Sequence, residues 1–183
     1  MLTIPQAVEA VRTGAVIAYP TEAVYGLGCD PACEPAVRRL LQLKQRPASA
    51  GLILIADSFD PLAPWVGTLA PGMLNRALES WPGPVTWLFP RAAQVPDWLA
   101  GTHPTIALRV SAHPVCRALC SSFGGPLVST SANPHSMQPA RTAATVEALF
   151  AGAIAGIVEG ELGALERPSE IRDLATGHIV RPG

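Results

Sequence analysis

The polar residues able to do chemistry in this sequence sit at the ends of apolar runs. LKQRP places Lys44 and Arg46 at the end of a helical pattern, just before the apolar run GLILIA. TIALRV sets Thr105 and Arg109 in an otherwise apolar stretch, and their i, i+4 spacing puts both on one side of a strand. STSANP puts Ser129, Thr130, Ser131 and Asn133 directly after the apolar PLV, while PAR, PSEIRD and VRPG add Arg141, Ser169 and Arg181. Cations beside small hydroxyls and amides, with no matching carboxylate nearby in sequence, suit a polyanionic ligand such as a nucleoside triphosphate. Each group also has a plain structural reading. Lys44 and Arg46 fit the dipole at a helix C-terminus, STSANP fits a hydroxyl-built turn, and Arg141 alone fits a surface charge. Arg109 is the exception, because an unpaired guanidinium on an apolar strand is costly. It needs an anionic partner, either a ligand or an Asp or Glu of the chain.

VIAYPTEAVYGLG poses a related question. Its apolar run stops at Pro20 and is followed by Thr21, Glu22, Tyr25 and two glycines. Alone this is a structural turn; beside the cations it becomes one wall of a pocket, with Gly26 and Gly28 expected to let the backbone approach a ligand. Glu22 either orients a cavity cation or caps the turn. Other constellations are absent: there is no G-x-x-x-x-G-K-[ST] loop, no G-x-G-x-x-G, no G-x-S-x-G elbow and no H-E-x-x-H helix. His103, His113, His135 and His178 are widely spaced and read as solvated or structural. Cys29/Cys33 and Cys116/Cys120 have C-x-x-x-C spacing, which suits buried reduced thiols better than a zinc knuckle, and no metal-ligating residues are expected.

The elements that must position these groups follow from periodicity. A T-x-x-Q capping box at Thr3–Gln6, with Pro5 in the first turn, predicts a helix to about Arg12. AVIAYP, GLILIA, PVTWLFP, TIALRV and PLVSTSA predict strands, as do AIAGIVEG, PSEIRDLA and HIVRPG near the end. Residues 34–44, PGMLNRALESW, PVCRALCSSF and TAATVEALFA have helical spacing. Interleaved helices and strands without a regular βαβ repeat predict an α/β domain over residues 1–183 with a mixed sheet. With 49% apolar residues the chain can bury a substantial core, and a net charge of −1 gives no global basic field for a long nucleic acid. No apolar run approaches the roughly 20 residues of a bilayer span, and no secretory leader is visible, so a cytoplasmic protein without membrane contact is expected.

YPTEAVYGLGCDP, LKQRP with GLILIA, WPGPVTWLFP, ALRVSAHP, PLVSTSAN and PSEIRD, in this order, resemble the YrdC/TsaC family of threonylcarbamoyl-AMP synthases. The similarity runs from about Val16 to the C-terminal RPG. It implies a twisted open mixed sheet with flanking helices around a positively charged cavity. It also implies condensation of L-threonine, bicarbonate and ATP to threonylcarbamoyladenylate and pyrophosphate, with Mg2+ accompanying ATP. Downstream threonylcarbamoyl-transferase proteins would then modify adenosine 37 of tRNA. By the same resemblance Lys44, Arg46, Ser131 and Asn133 are the catalytic set. Lys44, Arg46, Thr105, Asn133, Arg141 and Arg181 would bind ATP; Thr21, Arg109, Ser131 and Ser169 would bind threonine. Two departures stand out: Ala50 occupies a place where short forms often carry lysine, and SANPHSMQP replaces an SANLSG-like continuation. A weak tRNA contact is a further expectation. The alternatives are a non-catalytic RNA-binding maturation factor that uses the cationic cavity, and another carbamoyl-transferring or adenylating enzyme on the same fold.

Overall fold

Short apolar runs bounded by Gly, Pro and Thr form one open eight-stranded sheet in the computed structural model, which describes all 183 residues. The strands are β1 (Ile17–Pro20), β2 (Tyr25–Gly28), β3 (Ile53–Ala56), β4 (Val85–Pro90), β5 (Thr105–Val110), β6 (Leu127–Ser131), β7 (Glu170–Asp173) and β8 (Ile179–Arg181). Their spatial order is β1-β2-β6-β3-β5-β4-β7-β8. β3 runs parallel to β5 and β4 to β7, and the other pairings are antiparallel, so the sheet is mixed as expected. The helices are α1 (Ile4–Arg12), α2 (Glu34–Lys44), α3 (Met73–Leu78), α4 (Asp97–Ala100), α5 (Pro114–Phe123) and α6 (Ala143–Phe150). At the start of α1, Gln6 Oε1 accepts from the Thr3 amide at 2.9 Å, which satisfies a donor of the capping box. No helix is long and apolar enough to cross a membrane.

AIAGIVEG does not form the expected strand. Its backbone bonds are divided between two neighbours: Val158 N donates to Ala18 O at 2.8 Å, and Leu2 N donates to Ile157 O at 2.7 Å. Only isolated bridges result, Ala18 with Ile157 and Leu2 with Val158. The segment thereby covers the free edge of β1, which an open sheet would otherwise present to other chains.

Alternation along the strands divides the core into two. One face carries Leu27, Leu54, Leu108, Trp87 and Phe89 into a large cluster with α2 and α6. The opposite face carries Ile17, Tyr19, Ile55 and Leu127 into a smaller cluster beneath α1 and α5. Cys116 and Cys120 belong to this second cluster, and Cys29 to the first; all three are buried free thiols. The two helices cover only part of that second face. Farther along the same strands the inward positions are Ser129 (β6), Ile53 (β3), Ala107 (β5) and Leu88 (β4), paired in one cross-strand row. These residues floor a cavity.

Candidate active site

The cavity has a volume of about 560 Å3, and all four members of that row line it. Its wall carries four arginines, Arg46, Arg109, Arg167 and Arg181, and a single carboxylate, Glu22. Thr105 and Arg109 join Ala107 in the lining, while Ile106, Leu108 and Val110 turn to the large core cluster, so Thr105 and Arg109 share one side of β5, as their spacing predicts, and that side faces the cavity. Thr21, Ser131 and Ser169 also line the space.

Glu22 is the anionic partner that Arg109 required. Arg109 Nη1 donates to Glu22 Oε2 at 3.1 Å, and both residues are at most 9% exposed. Glu22 Oε1 accepts from Ser111 Oγ at 2.7 Å and from the Ala112 amide at 3.3 Å. Burial works to raise the Glu22 pKa, but the Arg109 charge and the Ser111 hydrogen bond outweigh it and hold the carboxyl below its ordinary value. The pair does not exhaust Arg109, whose buried Nε has no hydrogen-bond partner. In the same turn Thr21 Oγ1 donates to Val24 O at 2.7 Å, leaving its oxygen as an acceptor toward the cavity.

The K-x-R and S-x-N segments meet at the C-terminus of α2. Lys44 is 4% exposed, and its ammonium donates to Ser131 O at 2.5 Å, Asn133 Oδ1 at 2.9 Å and Ser131 Oγ at 3.2 Å. Burial, and then the charge of Arg46, push its pKa down from 10.5 to about 8. Gln45 takes the left-handed conformation (φ 51°) and ends the helix, so that Arg46 turns to the cavity while Lys44 stays behind its wall. Arg46 Nη2 donates to Ala50 O at 3.0 Å and Gly51 O at 2.9 Å, which fixes the loop before β3; its buried Nε is unpartnered. Asn133 also lies behind the wall, where Nδ2 donates to Met137 O at 2.6 Å and holds the SANPHSM loop.

Ser169 Oγ pairs with Thr86 Oγ1 at 3.0 Å, and Arg181 Nη2 donates to Ser169 O at 2.8 Å, so β8 closes one end of the space. Burial lowers the Arg181 pKa, and the charges of Arg46 and Arg109 lower it further, a sign that the three guanidinium groups converge. Arg141 does not line the cavity. It is exposed and donates to Glu166 O at 3.0 Å and Leu165 O at 3.4 Å, tying down the segment that carries Leu165, Arg167 and Ser169 to the cavity.

The model of the Sua5/YciO/YrdC domain, described as telomere recombination, matches residues 9–183. The chain belongs to the Sua5/YciO/YrdC family. Threonylcarbamoyl-AMP synthase of Xanthomonas oryzae pv. oryzae (strain PXO99A) is 50% identical over 183 residues, covering 99% of this chain and 98% of that protein. The structure of P. abyssi Sua5 complexed with L-threonine matches with a TM-score of 0.91 at 32% identity, over 98% of this chain and 54% of that one. E. coli YciO matches with a TM-score of 0.82 at 30% identity, over 97% of this chain and 87% of that one.

Within this Sua5/YciO/YrdC domain, two polar cavity residues were not among the expected ligand-binding set: Arg167, which the sequence left unread, and His103, which it read as solvated or structural. Arg167 lies two positions before Ser169, a spacing that could have flagged it; His103 stands at the mouth with no local signal. One assignment is corrected. Gly28 does not admit a ligand, because a Cβ there would lie 2.5 Å from Val128 O and 2.7 Å from Tyr19 Cε1. The Tyr19 ring fills that place, with its hydroxyl donating to Val128 O at 3.3 Å. Gly26 does line the cavity, although its Cβ position also faces Tyr19 and Thr21 at 3.3 Å.

Proposed function

We propose that this chain is a threonylcarbamoyl-AMP synthase, a nucleotidyltransferase that condenses L-threonine, bicarbonate and ATP to threonylcarbamoyladenylate and pyrophosphate. The observation that carries this reading is the composition of the wall: four arginines line one cavity whose only carboxylate, Glu22, is already bonded to Arg109, Ser111 and Ala112. Such a wall forms a cationic cavity suited to a triphosphate and an amino-acid carboxylate together. The 50% identity to a protein bearing this name, over nearly the full length of both, supports it.

The chemistry asks little of a protein acid or base. The unprotonated threonine amine bonds to the carbon of bicarbonate, water is lost, and a carbamate oxygen attacks the α-phosphorus of ATP as pyrophosphate leaves. Positioning and stabilisation of developing charge carry the rate. Arg46 and Arg181 face the phosphates, with the Lys44 charge reinforcing them from behind Ser131 and Asn133. Ser131 Oγ reaches the reacting groups, Thr105 borders the nucleotide, and Arg141 acts by tying down the segment 165–169. Thr21, Arg109 and Ser169 hold the threonine. Mg2+ would enter on the phosphates of ATP, but the wall offers no free carboxylate to bind it, and no step here depends on a protein-held ion. The product is a mixed anhydride, which threonylcarbamoyl-transferase proteins acting on tRNA would consume in the cytoplasm.

The test is pyrophosphate release by the purified protein with threonine, bicarbonate or ATP omitted in turn. Turnover that requires all three supports the assignment. No turnover under any condition, together with steeply salt-dependent tRNA affinity, would instead select a non-catalytic RNA-binding role.

A further inference from the structure

Glu22 is held more firmly than capping a turn requires. Besides its bonds to Arg109, Ser111 and Ala112, its own carbonyl accepts from Leu165 N at 2.9 Å, and Thr21 O accepts from Gly163 N at 2.9 Å. Gly163 packs so closely that a Cβ there would lie 2.5 Å from Glu22 O. Ser111 Oγ, which donates to Glu22, itself accepts from His113 N at 3.1 Å at the start of α5. The carboxylate is thus referenced to three separate parts of the fold.

What it holds is one corner of a guanidinium. The Nη1 that donates to Glu22 is the nitrogen on the side of the aliphatic stem. The opposite edge, formed by Nε and Nη2, is the geometry with which a guanidinium can make two parallel bonds to a carboxylate, and here its buried Nε has no protein partner. We propose that Glu22 is a positioning residue that fixes Arg109 so that its Nε–Nη2 edge faces the carboxylate of the bound amino acid. This rests on the threonine-binding role given to Arg109 above.

The competing role for Glu22 is simple neutralisation of a buried cation, and the two roles differ in sign. Removing a neutraliser strengthens the pull of Arg109 on an anion, whereas removing a positioner weakens bidentate binding. Glu22→Asp separates them further, because it keeps the charge but shortens the reach.

The experiment is calorimetric titration of L-threonine and, separately, ATP into the unmodified protein, Glu22→Gln, Glu22→Asp, Ser111→Ala and Arg109→Lys. Alongside it, 15N spectra follow the Arg109 Nε–H, identified by its loss in Arg109→Lys. Positioning requires Glu22→Gln and Glu22→Asp to weaken threonine binding about tenfold or more, with ATP affinity within about twofold and the Nε–H signal broadened or shifted. Ser111→Ala should weaken threonine binding by a smaller factor; it retains both charges and serves if Glu22→Gln does not fold. Unchanged or tighter threonine binding in Glu22→Gln, or full retention in Glu22→Asp, overturns the proposal. If the unmodified protein binds no threonine, the threonine-site reading fails separately. The Nε–H signal then decides the role of Glu22: broadening in Glu22→Gln supports positioning, and an unchanged signal overturns it.

Discussion

Replacing Lys44 by methionine separates what its ammonium costs from what it organises. The group is 4% exposed, and its pKa falls from 10.5 to about 8. That gap corresponds to about 3 kcal/mol of destabilisation while the charge is buried below pH 8. Methionine removes this cost but leaves Ser131 O and Asn133 Oδ1 without their donor, at about 1–3 kcal/mol each. The two effects nearly cancel, so at pH 7 the variant should melt within about 8 °C of the unmodified protein. The difference should depend on pH. An unfolded Lys44 keeps its proton up to about 10.5, whereas the folded one loses it near 8, so between these values the unfolded state binds more protons and rising pH stabilises the fold. From pH 7 to 9.5 the unmodified protein should gain about 2 kcal/mol relative to the variant. Turnover should fall about 100-fold or more at both pH values, because Ser131 and Asn133 lose their common anchor. Calorimetric melting and pyrophosphate release measure the two quantities. Turnover within threefold of the unmodified protein, or a melting difference that stays flat from pH 7 to 9.5, would refute the reasoning.

Arg46→Ala should slow pyrophosphate release about 100-fold, roughly 2.7 kcal/mol, and raise the KM for ATP; the kinetics are measured with threonine and bicarbonate saturating. Gly28→Ala should cost about 1–3 kcal/mol in denaturant unfolding, because its Cβ would collide with Val128 O and the Tyr19 ring. Arg141→Ala should leave stability within about 1 kcal/mol, since the residue is exposed, yet speed amide exchange at Gly163 and Leu165 and raise the KM for ATP a few-fold.

The strands were legible because each is a short apolar run with punctuated ends, and β5 also declared its two sides: Thr105 and Arg109 stand at i and i+4. Convergence of Arg46, Arg109 and Arg181 was legible only as a shared chemical type. Relations across the chain were not legible. Glu22 and Arg109 are 87 residues apart, and nothing local links them. Lys44 and Arg46 read as a matched pair, yet the left-handed turn at Gln45 sends one to Ser131 and Asn133 and the other to the cavity. Gly28 read as a ligand approach because the occupant of its missing side-chain space, the Tyr19 ring, comes from the neighbouring strand. AIAGIVEG had the composition of a strand, but its hydrogen bonds are shared between β1 and the N-terminal segment.

The site exists because one sheet face is only partly roofed. Ile17, Tyr19, Ile55 and Leu127 are large and apolar, and α1 and α5 pack on them. Two residues beyond Leu127 the same face of β6 offers Ser129, and across from Ile53 β5 offers Ala107, so the surface drops at these two small residues. Arg109 pairs with Ile55 in register and therefore stands at the boundary between the roofed and open parts. A cation there needs a buried counter-charge on the side of α5 and leaves its other edge to the cavity. Glu22 and Ser111 supply the first requirement, and Ser129 and Ala107 of the cross-strand row make room for the second. Enlarging Ala107 would therefore be expected to fill the cavity without disturbing the helix-covered core, while a change at Ser111 would disturb the cation without altering the volume. Fold and function thus separate along a single strand.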